Sequence, residues 1–377
     1  MVTDLNLMPG DWVEIRSAAE ILASLDRYGC LQGLPFMPEM LPFCGTRHQV
    51  FKRADKACDP TGDRWSLRRM TGTVLLAEPR CSGESHGGCE TGCLLFWKEV
   101  WLKHLPAGDA APHAPAGENR NVATRGRVTA VDDAKPPAEN GLAFPGAAAG
   151  SSGPIVNLQQ LERATLQCGS VGSPDACYRC QATELRHATS RLPWWEPRQY
   201  LRDMYANGVS LFDVVRGLTI CVVNALLRRL KRPTYPNVQG ALTRTPADPL
   251  GLQPGELVEV KSKAEIVATL DRNGKNRGMT FDVEMIPYCG RRLRVLRRVE
   301  RIVDEKTGRL LQLPNPSIIL DGAICTGCYH RFCPRGTYPF WREIWLRRVE
   351  QPAGSVSVSS DHPTAHTIPS GEGAVAN

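Results

Sequence analysis

Apolar and polar residues alternate over residues 12–16 and again over 257–261, the period of a half-buried strand. Each stretch runs into a helix-start signal, Ser17-Ala18-Ala19-Glu20 and Ser262-Lys263-Ala264-Glu265. Both predict a capping box, in which the serine oxygen accepts from a free helix amide and the glutamate reaches back to the cap N–H. Ile21, Leu22 and Leu25 then supply a helical apolar face, and Gly29 and Gly274 suit the left-handed position past a helix end. Residues 48–53 with 72–77, and 293–301 with 317–320, have strand character.

These stretches belong to a longer repeat. From Pro9 and Pro254 two segments run without a gap to Asp59 and Asp304, with about half of the positions identical. The match resumes at Phe96-Trp97-Lys98-Glu99 and Phe340-Trp341-Arg342-Glu343 after a small length change. The expected fold class is α+β. Two homologous β-rich modules, residues 1–105 and 254–350, each form a small, partly open barrel of SH3-like outline with one short helix. They flank a mainly helical middle region, 155–236. The Ala/Gly/Pro-rich stretch 106–154 predicts a flexible linker, 237–253 a shorter one, and 351–377 a disordered tail.

In the middle region, Asp175 predicts a cap for a helix starting at Ala176, which would set Cys177, Cys180, Glu184 and His187 on one face. Trp194-Trp195-Glu196-Pro197 precedes a further helix, with Pro197 in its first turn. Over 209–230, Leu211, Val215, Leu218, Val222 and Leu226 form one stripe that ends in Arg228-Arg229-Leu230-Lys231-Arg232. A core helix whose terminal arginines complement its dipole is the expectation. The alternative for 194–232 is a helix lying on a membrane surface, with the tryptophans at headgroup level.

Composition adds limits. The 377 residues are 42% hydrophobic and 23% charged, with a formal net charge of +7, too small an excess to announce a nucleic-acid binder. The basic run Arg291-Arg292-Leu293-Arg294-Val295-Leu296-Arg297-Arg298 reads as a solvated sheet face. No run of eighteen uncharged apolar residues predicts a spanning helix. The opening residues show no basic stretch leading into an apolar run, so the expected location is cytoplasmic, with the inner membrane face as the peripheral alternative. In that setting fourteen cysteines point to metal ligation rather than disulfides.

Overlaying the segments pairs Cys44 with Cys289, Cys81 with Cys325, His86 with His330, and Cys89 with Cys333. The spacing C-x4-H-x2-C is common to both copies while the residues between differ. Three thiolates and one imidazole complete a tetrahedral zinc shell, so these eight residues are the expected ligands; an iron–sulfur cluster is the alternative cofactor. Cys168, Cys177, Cys180 and His187 form a third candidate site. Cys30, Cys58, Cys93 and Cys328 lack counterparts and read as buried filler. No phosphate loop, dinucleotide fingerprint, nucleophile elbow or zincin helix is present, so no catalytic residue is assigned.

The blocks CYRCQATEL, LPWWEPRQYLRDM, LVEVKSKAEIVATLDRNGKNRGMTFDVEMIPYCG and FCPRGTYPFWREIWL resemble those of a family of bacterial proteins associated with polysaccharide-biosynthesis gene neighbourhoods. The resemblance carries over no activity or ligand. It covers the middle region and second module best; Pro35 to Pro38 and Cys93 set the first module apart. The expected function is a zinc-stabilised accessory or scaffold protein that meets a protein partner. The alternatives are an iron–sulfur or other redox protein, and a nucleic-acid-binding protein.

Overall fold

The computed structural model describes residues 5–61, 66–106, 157–170, 173 and 175–349. Residues 107–154 of the expected linker and the expected tail 351–377 lie outside them. The chain is mixed α and β, with two curled antiparallel sheets and helices α1 (Ala18–Leu22), α2 (Leu158–Ala164), α3 (Pro197–Asn207), α4 (Leu211–Arg229) and α5 (Lys263–Val267). The first sheet runs in the order Leu94–Lys98, Thr73–Arg80, Arg47–Arg53, Trp12–Ile15, Leu102–Leu105. The second runs Leu310–Leu320, Arg292–Val303, Leu257–Val260, Leu346–Arg348. Trp12 pairs with Gln49 and Leu257 with Arg294, while Val13 pairs with His104 and Val258 with Arg348. These are matching positions of the two aligned segments.

The alternation read from the sequence sends Val13 and Ile15 into one core and Val258 and Val260 into another. Each such side chain contributes about 1.5–3 kcal/mol on full burial. Phe36 meets Trp101 edge-on at 5.4 Å between ring centres, and Phe281 meets Trp345 at 5.4 Å. The two indoles have their N–H groups satisfied, Trp101 by Ser24 Oγ at 3.1 Å and Trp345 by Thr269 Oγ1 at 3.0 Å.

Both capping boxes form. Ser17 Oγ accepts from Glu20 N at 3.3 Å and Glu20 Oε2 from Ser17 N at 3.0 Å; Ser262 and Glu265 repeat this at 3.3 and 2.9 Å. The helices they start are short, ending at Leu22 and Val267. Gly29 and Gly274 are left-handed, but in the turns that follow, where Asp26 and Asp271 carboxylates accept two backbone amides each.

The middle region shares the first module's core through Leu161 and Leu185. Its strand Ser190–Leu192 extends a small sheet made with Ser66–Arg69 and Lys56–Asp59. Helix α3 docks through a buried ion pair, Lys56 Nζ to Asp203 Oδ2 at 2.5 Å, and through Asn207 Oδ1, which accepts from Arg53 N at 2.9 Å. Residues 237–253, expected as a linker, pack on the second module: Leu252 is fully buried, and the Glu343 carboxylate accepts the amides of Leu250, Gly251 and Leu252.

Helix α4 differs from expectation. Val214 is its only buried residue, and Leu211, Phe212, Val215, Val222, Val223 and Leu226 are exposed. One flank, carrying Val214, Leu218 of the stripe and Gly217 under the Phe332 ring, is the side that packs. Periodicity identified the helix correctly but could not say which face met protein.

Candidate metal centre

The thiols are placed by one loop design that occurs in both modules. In C-x-G-x2-H-x2-C, Gly83 and Gly327 adopt left-handed φ of 77° and 79°. A Cβ there would stand 1.9 Å from Cys89 O and 2.3 Å from Cys333 O, so only glycine fits. The carbonyls of these glycines accept His86 N and His330 N at 3.0 and 2.9 Å, folding the loop back on itself. The backbone N–H groups of Gly83 and Gly327 lower the pKa values of Cys81 and Cys325, a smaller effect than the rise from burial. Ala182 and Thr183 amides do the same for Cys180. An N–H aimed at sulfur stabilises thiolate, the form that binds metal.

Four thiols border one cavity. Cys81, Cys89, Cys93 and Cys180 line a space of ≈ 40 Å³, walled by Met37, Leu94, Leu95, Phe96 and Val303, with Arg335 at its edge. That is more than the roughly 10–15 Å³ one water requires. Cys81 N donates to Cys93 O at 2.8 Å, which fixes two of the thiols on neighbouring chain segments. Cys180 arrives from the middle region. Charge on neighbouring thiols is felt at three of them: at Cys81 that on Cys93 and Cys180, at Cys93 that on Cys180 and Cys89, and at Cys180 that on Cys89. Burial is the main force raising the pKa values of Cys81, Cys93 and Cys180, to about 11 for Cys180 and well above the usual thiol range for the other two. Bound cations reverse that by deprotonating a coordinating thiol.

Among the described residues, two groups of ligand atoms lie within 4.8 Å of one another: Glu39, Cys81 and His86, and Glu284, Cys325 and His330. The glutamates occupy matching positions and were not singled out from the sequence. Glu39 Oε1 takes Ser85 N at 2.9 Å and His86 Nδ1 at 2.7 Å, while His86 Nε2 faces Arg179 O at 3.1 Å. Burial raises the Glu39 pKa, but the bond to His86 and its charge outweigh this and hold the carboxyl below its ordinary value. Its Oε2 is buried without a hydrogen-bond partner. Glu284 accepts from Thr326 Oγ1, Gly327 N and Tyr329 N at 2.8, 3.1 and 2.5 Å. Both carboxylates thus clamp the cysteine loops.

The expected quartets are not assembled as such. Cys81 and His86 meet, as do Cys325 and His330, at 3.7 Å between Sγ and Nδ1. Cys44 and Cys289 instead cap two-turn 3-10 helices, Pro38–Phe43 and Val283–Tyr288, and flank the two cores. Burial pushes each up to about 11. Cys89 receives Val303 N at 3.3 Å, and Cys333 receives Cys58 N at 3.1 Å. Cys333 and Cys89 match in the alignment, as do Cys58 and Val303, so each module donates an amide to the other's last loop sulfur. Cys58 Sγ lies 2.8 Å from Cys333 Sγ. Burial raises the Cys333 pKa, but the Cys58 bond, the Arg335 amide and the Arg335 charge prevail and hold it at about 6.

The third expected site is corrected. No helix begins at Ala176: Cys177–Tyr178 is a strand paired with Leu166–Cys168, and Cys168 and Cys177 are joined as a disulfide. The two spent sulfurs cannot serve as thiolate ligands while that bond stands. Cys180 turns to the cavity, and His187 Nδ1 meets Glu184 Oε2 at 2.8 Å. A hairpin and a cross-link overrode the helical spacing. Cys93 has no cysteine partner in the aligned segment and reads from the sequence as buried filler, while Cys180, expected in the third site with Cys177, borders the cavity instead.

Comparison with protein-family models, curated proteins and solved structures finds no match for this chain.

Proposed function

We propose that this protein is an iron–sulfur protein whose cluster sits in the cavity and is held by Cys81, Cys89, Cys93 and Cys180. The observation that carries this reading is the convergence of four thiols from two separate regions on one apolar-walled space. One zinc ion would need sulfurs about 3.7–4.0 Å apart, from Zn–S bonds near 2.3 Å. Among the described residues no three of these thiols gather within 4.8 Å, a spread that suits a polynuclear cluster better. Four protein ligands leave no open position for a substrate, so the cluster would brace the junction or carry electrons. Anaerobic purification should give a brown protein with about four iron and four sulfide per chain. A colourless protein without iron would overturn the reading. A second reading, a single zinc at Glu39, Cys81 and His86, is favoured by the orphaned Glu39 Oε2.

The exposed stripe of α4 supports a place at an anionic membrane surface. Among the described residues, twelve of fifteen exposed large hydrophobics fall between Trp194 and Tyr235, so their exposed apolar surface is concentrated in one region. Seven Lys/Arg stand there against three Asp/Glu. An apolar stripe with a basic rim and exposed tryptophans is the chemistry of a helix lying in the headgroup layer. Among the described residues no helix is long and apolar enough to cross a membrane.

A further inference from the structure

The geometry points to a redox-active dithiol where the two modules meet, in which Cys58 and Cys333 reduce hydrogen peroxide and close a disulfide between them. Their sulfurs lie 2.8 Å apart, although the residues stand 275 positions apart in the chain. Closing to a disulfide bond length of about 2.05 Å takes a shift of about 0.8 Å, within the reach of side-chain rotation. A backbone contact already holds the pair in register, since Cys58 N donates to Cys333 Sγ at 3.1 Å. The Arg335 guanidinium bonds Cys58 O at 3.1 Å and pairs with Glu305 at 2.8 Å, which ties the strand of one sulfur to the loop of the other.

Burial selects the oxidant. Cys58 and Cys333 are 6% and 3% exposed and pack with Leu67 and Leu192. Exchange with a bulky disulfide needs access that these walls deny, whereas hydrogen peroxide is close to water in size. Burial also raises the Cys333 pKa, but the Cys58 bond and the Arg335 amide and charge hold it below the ordinary thiol value. Cys333 is therefore the thiolate that attacks. An S–O bond forms to one peroxide oxygen, the O–O bond breaks, and hydroxide leaves behind a sulfenic acid. That hydroxide takes the Cys58 proton and becomes water. The Cys58 thiolate then attacks the Cys333 sulfur, so the S–S bond forms and the S–O bond breaks. The departing hydroxide takes up the proton that Cys333 released on ionising, giving a second water. Two thiols lose two electrons, and one peroxide gains them. The strand that carries Cys58 is already gripped by the middle region, at Lys56 through Asp203 and at Asp59 through Arg186 at 2.7 Å. A disulfide to Cys333 adds the second module to that grip.

The test treats the full chain, reduced and desalted, with equimolar hydrogen peroxide and maps its peptides under non-reducing conditions. Apart from the existing Cys168–Cys177 bond, Cys58–Cys333 should be the main cross-link, and dithiothreitol should reverse it. Oxidised glutathione at the same concentration and time should leave the two thiols free. Cys58→Val, which installs the residue found at the matching position 303, should stop the reaction at a Cys333 sulfenic acid that dimedone traps. Cys93→Ser, which removes a ligand of the cluster proposed above, should cross-link as the wild type does. The wild-type readout needs no variant to fold. Free Cys58 and Cys333 thiols in the peroxide-treated wild type would overturn the proposal. So would a cross-link that oxidised glutathione forms as fast as peroxide does, or its loss in Cys93→Ser.

Discussion

Lys56 and Asp203 show how much rides on single side chains. Burial pushes Asp203 up to about 6 against the pull of Lys56, and it pushes Lys56 down. The pair joins α3 to the first module from deep inside it, so Lys56→Ala leaves a carboxylate stranded. It should destabilise by about 3–5 kcal/mol in urea titration, and Lys56→Met combined with Asp203→Leu should recover most of that. The fold holds a proton on Asp203 up to about 6, while the unfolded chain releases it near 3.8. Its share of stability is therefore full below 3.8 and falls as pH rises to 6. A measured rise in this window, lost in Asp203→Asn, would contradict the assignment. The cysteines show what is legible at this scale. Cys81, His86, Cys89 and their counterparts stand out because the repeat preserves them. Cys93 does not, because it matches Thr337 and reaches the cavity by tertiary packing; Cys180 stands out through its spacing from Cys177, but that spacing points to the wrong neighbours.

At the scale of elements, local structure is legible in the sequence wherever a backbone rule acts within a few residues. Both capping boxes form because serine and glutamate three apart satisfy donors that no other group reaches. Ser17→Ala should cost about 1 kcal/mol by thermal or urea denaturation, and Ser262→Ala about the same. The Ser17 bonds lower the Glu20 carboxyl to about 2. That contribution is present above about 4.5 and is lost as pH falls towards 2, opposite in sign to Asp203. The helix expected at Ala176 failed because spacing alone cannot register a disulfide to Cys168 nine residues earlier. Glycine in the cysteine loops carries a sharper consequence. Gly83→Ala forces a Cβ onto Cys89 O, so iron content should drop in the purified protein. Unchanged iron in that variant would show that the loop is not what presents Cys81 and Cys89.

For the whole molecule, reciprocal amide-to-sulfur contacts and the Arg335 anchor tie the modules together, while Leu161, Leu185 and α3 bind the middle region to the first. Neither junction could be read from a pattern, since both depend on which surfaces meet. The sequence marked the α4 stripe but assigned it inward, because a period identifies a face and not its environment. Full-length protein should sediment with phosphatidylglycerol vesicles and not with phosphatidylcholine vesicles, and Val222→Glu with Leu226→Glu should weaken binding at least tenfold. Absence of sedimentation, or a dimer by analytical ultracentrifugation that the double variant dissociates, would assign the stripe to a protein contact instead.

The central claim is a cluster held at the junction of the middle region and first module, and Cys180→Ser addresses it most directly. Cys180 is the one thiol bordering the cavity that comes from the middle region. Iron and sulfide per chain, with the visible spectrum, are measured on wild type and variant purified anaerobically side by side. About four iron and four sulfide in the wild type, with the iron and the visible absorption lost or greatly reduced in Cys180→Ser, is the expected result. An iron-free wild type, or a variant with the same iron and spectrum as the wild type, would contradict it.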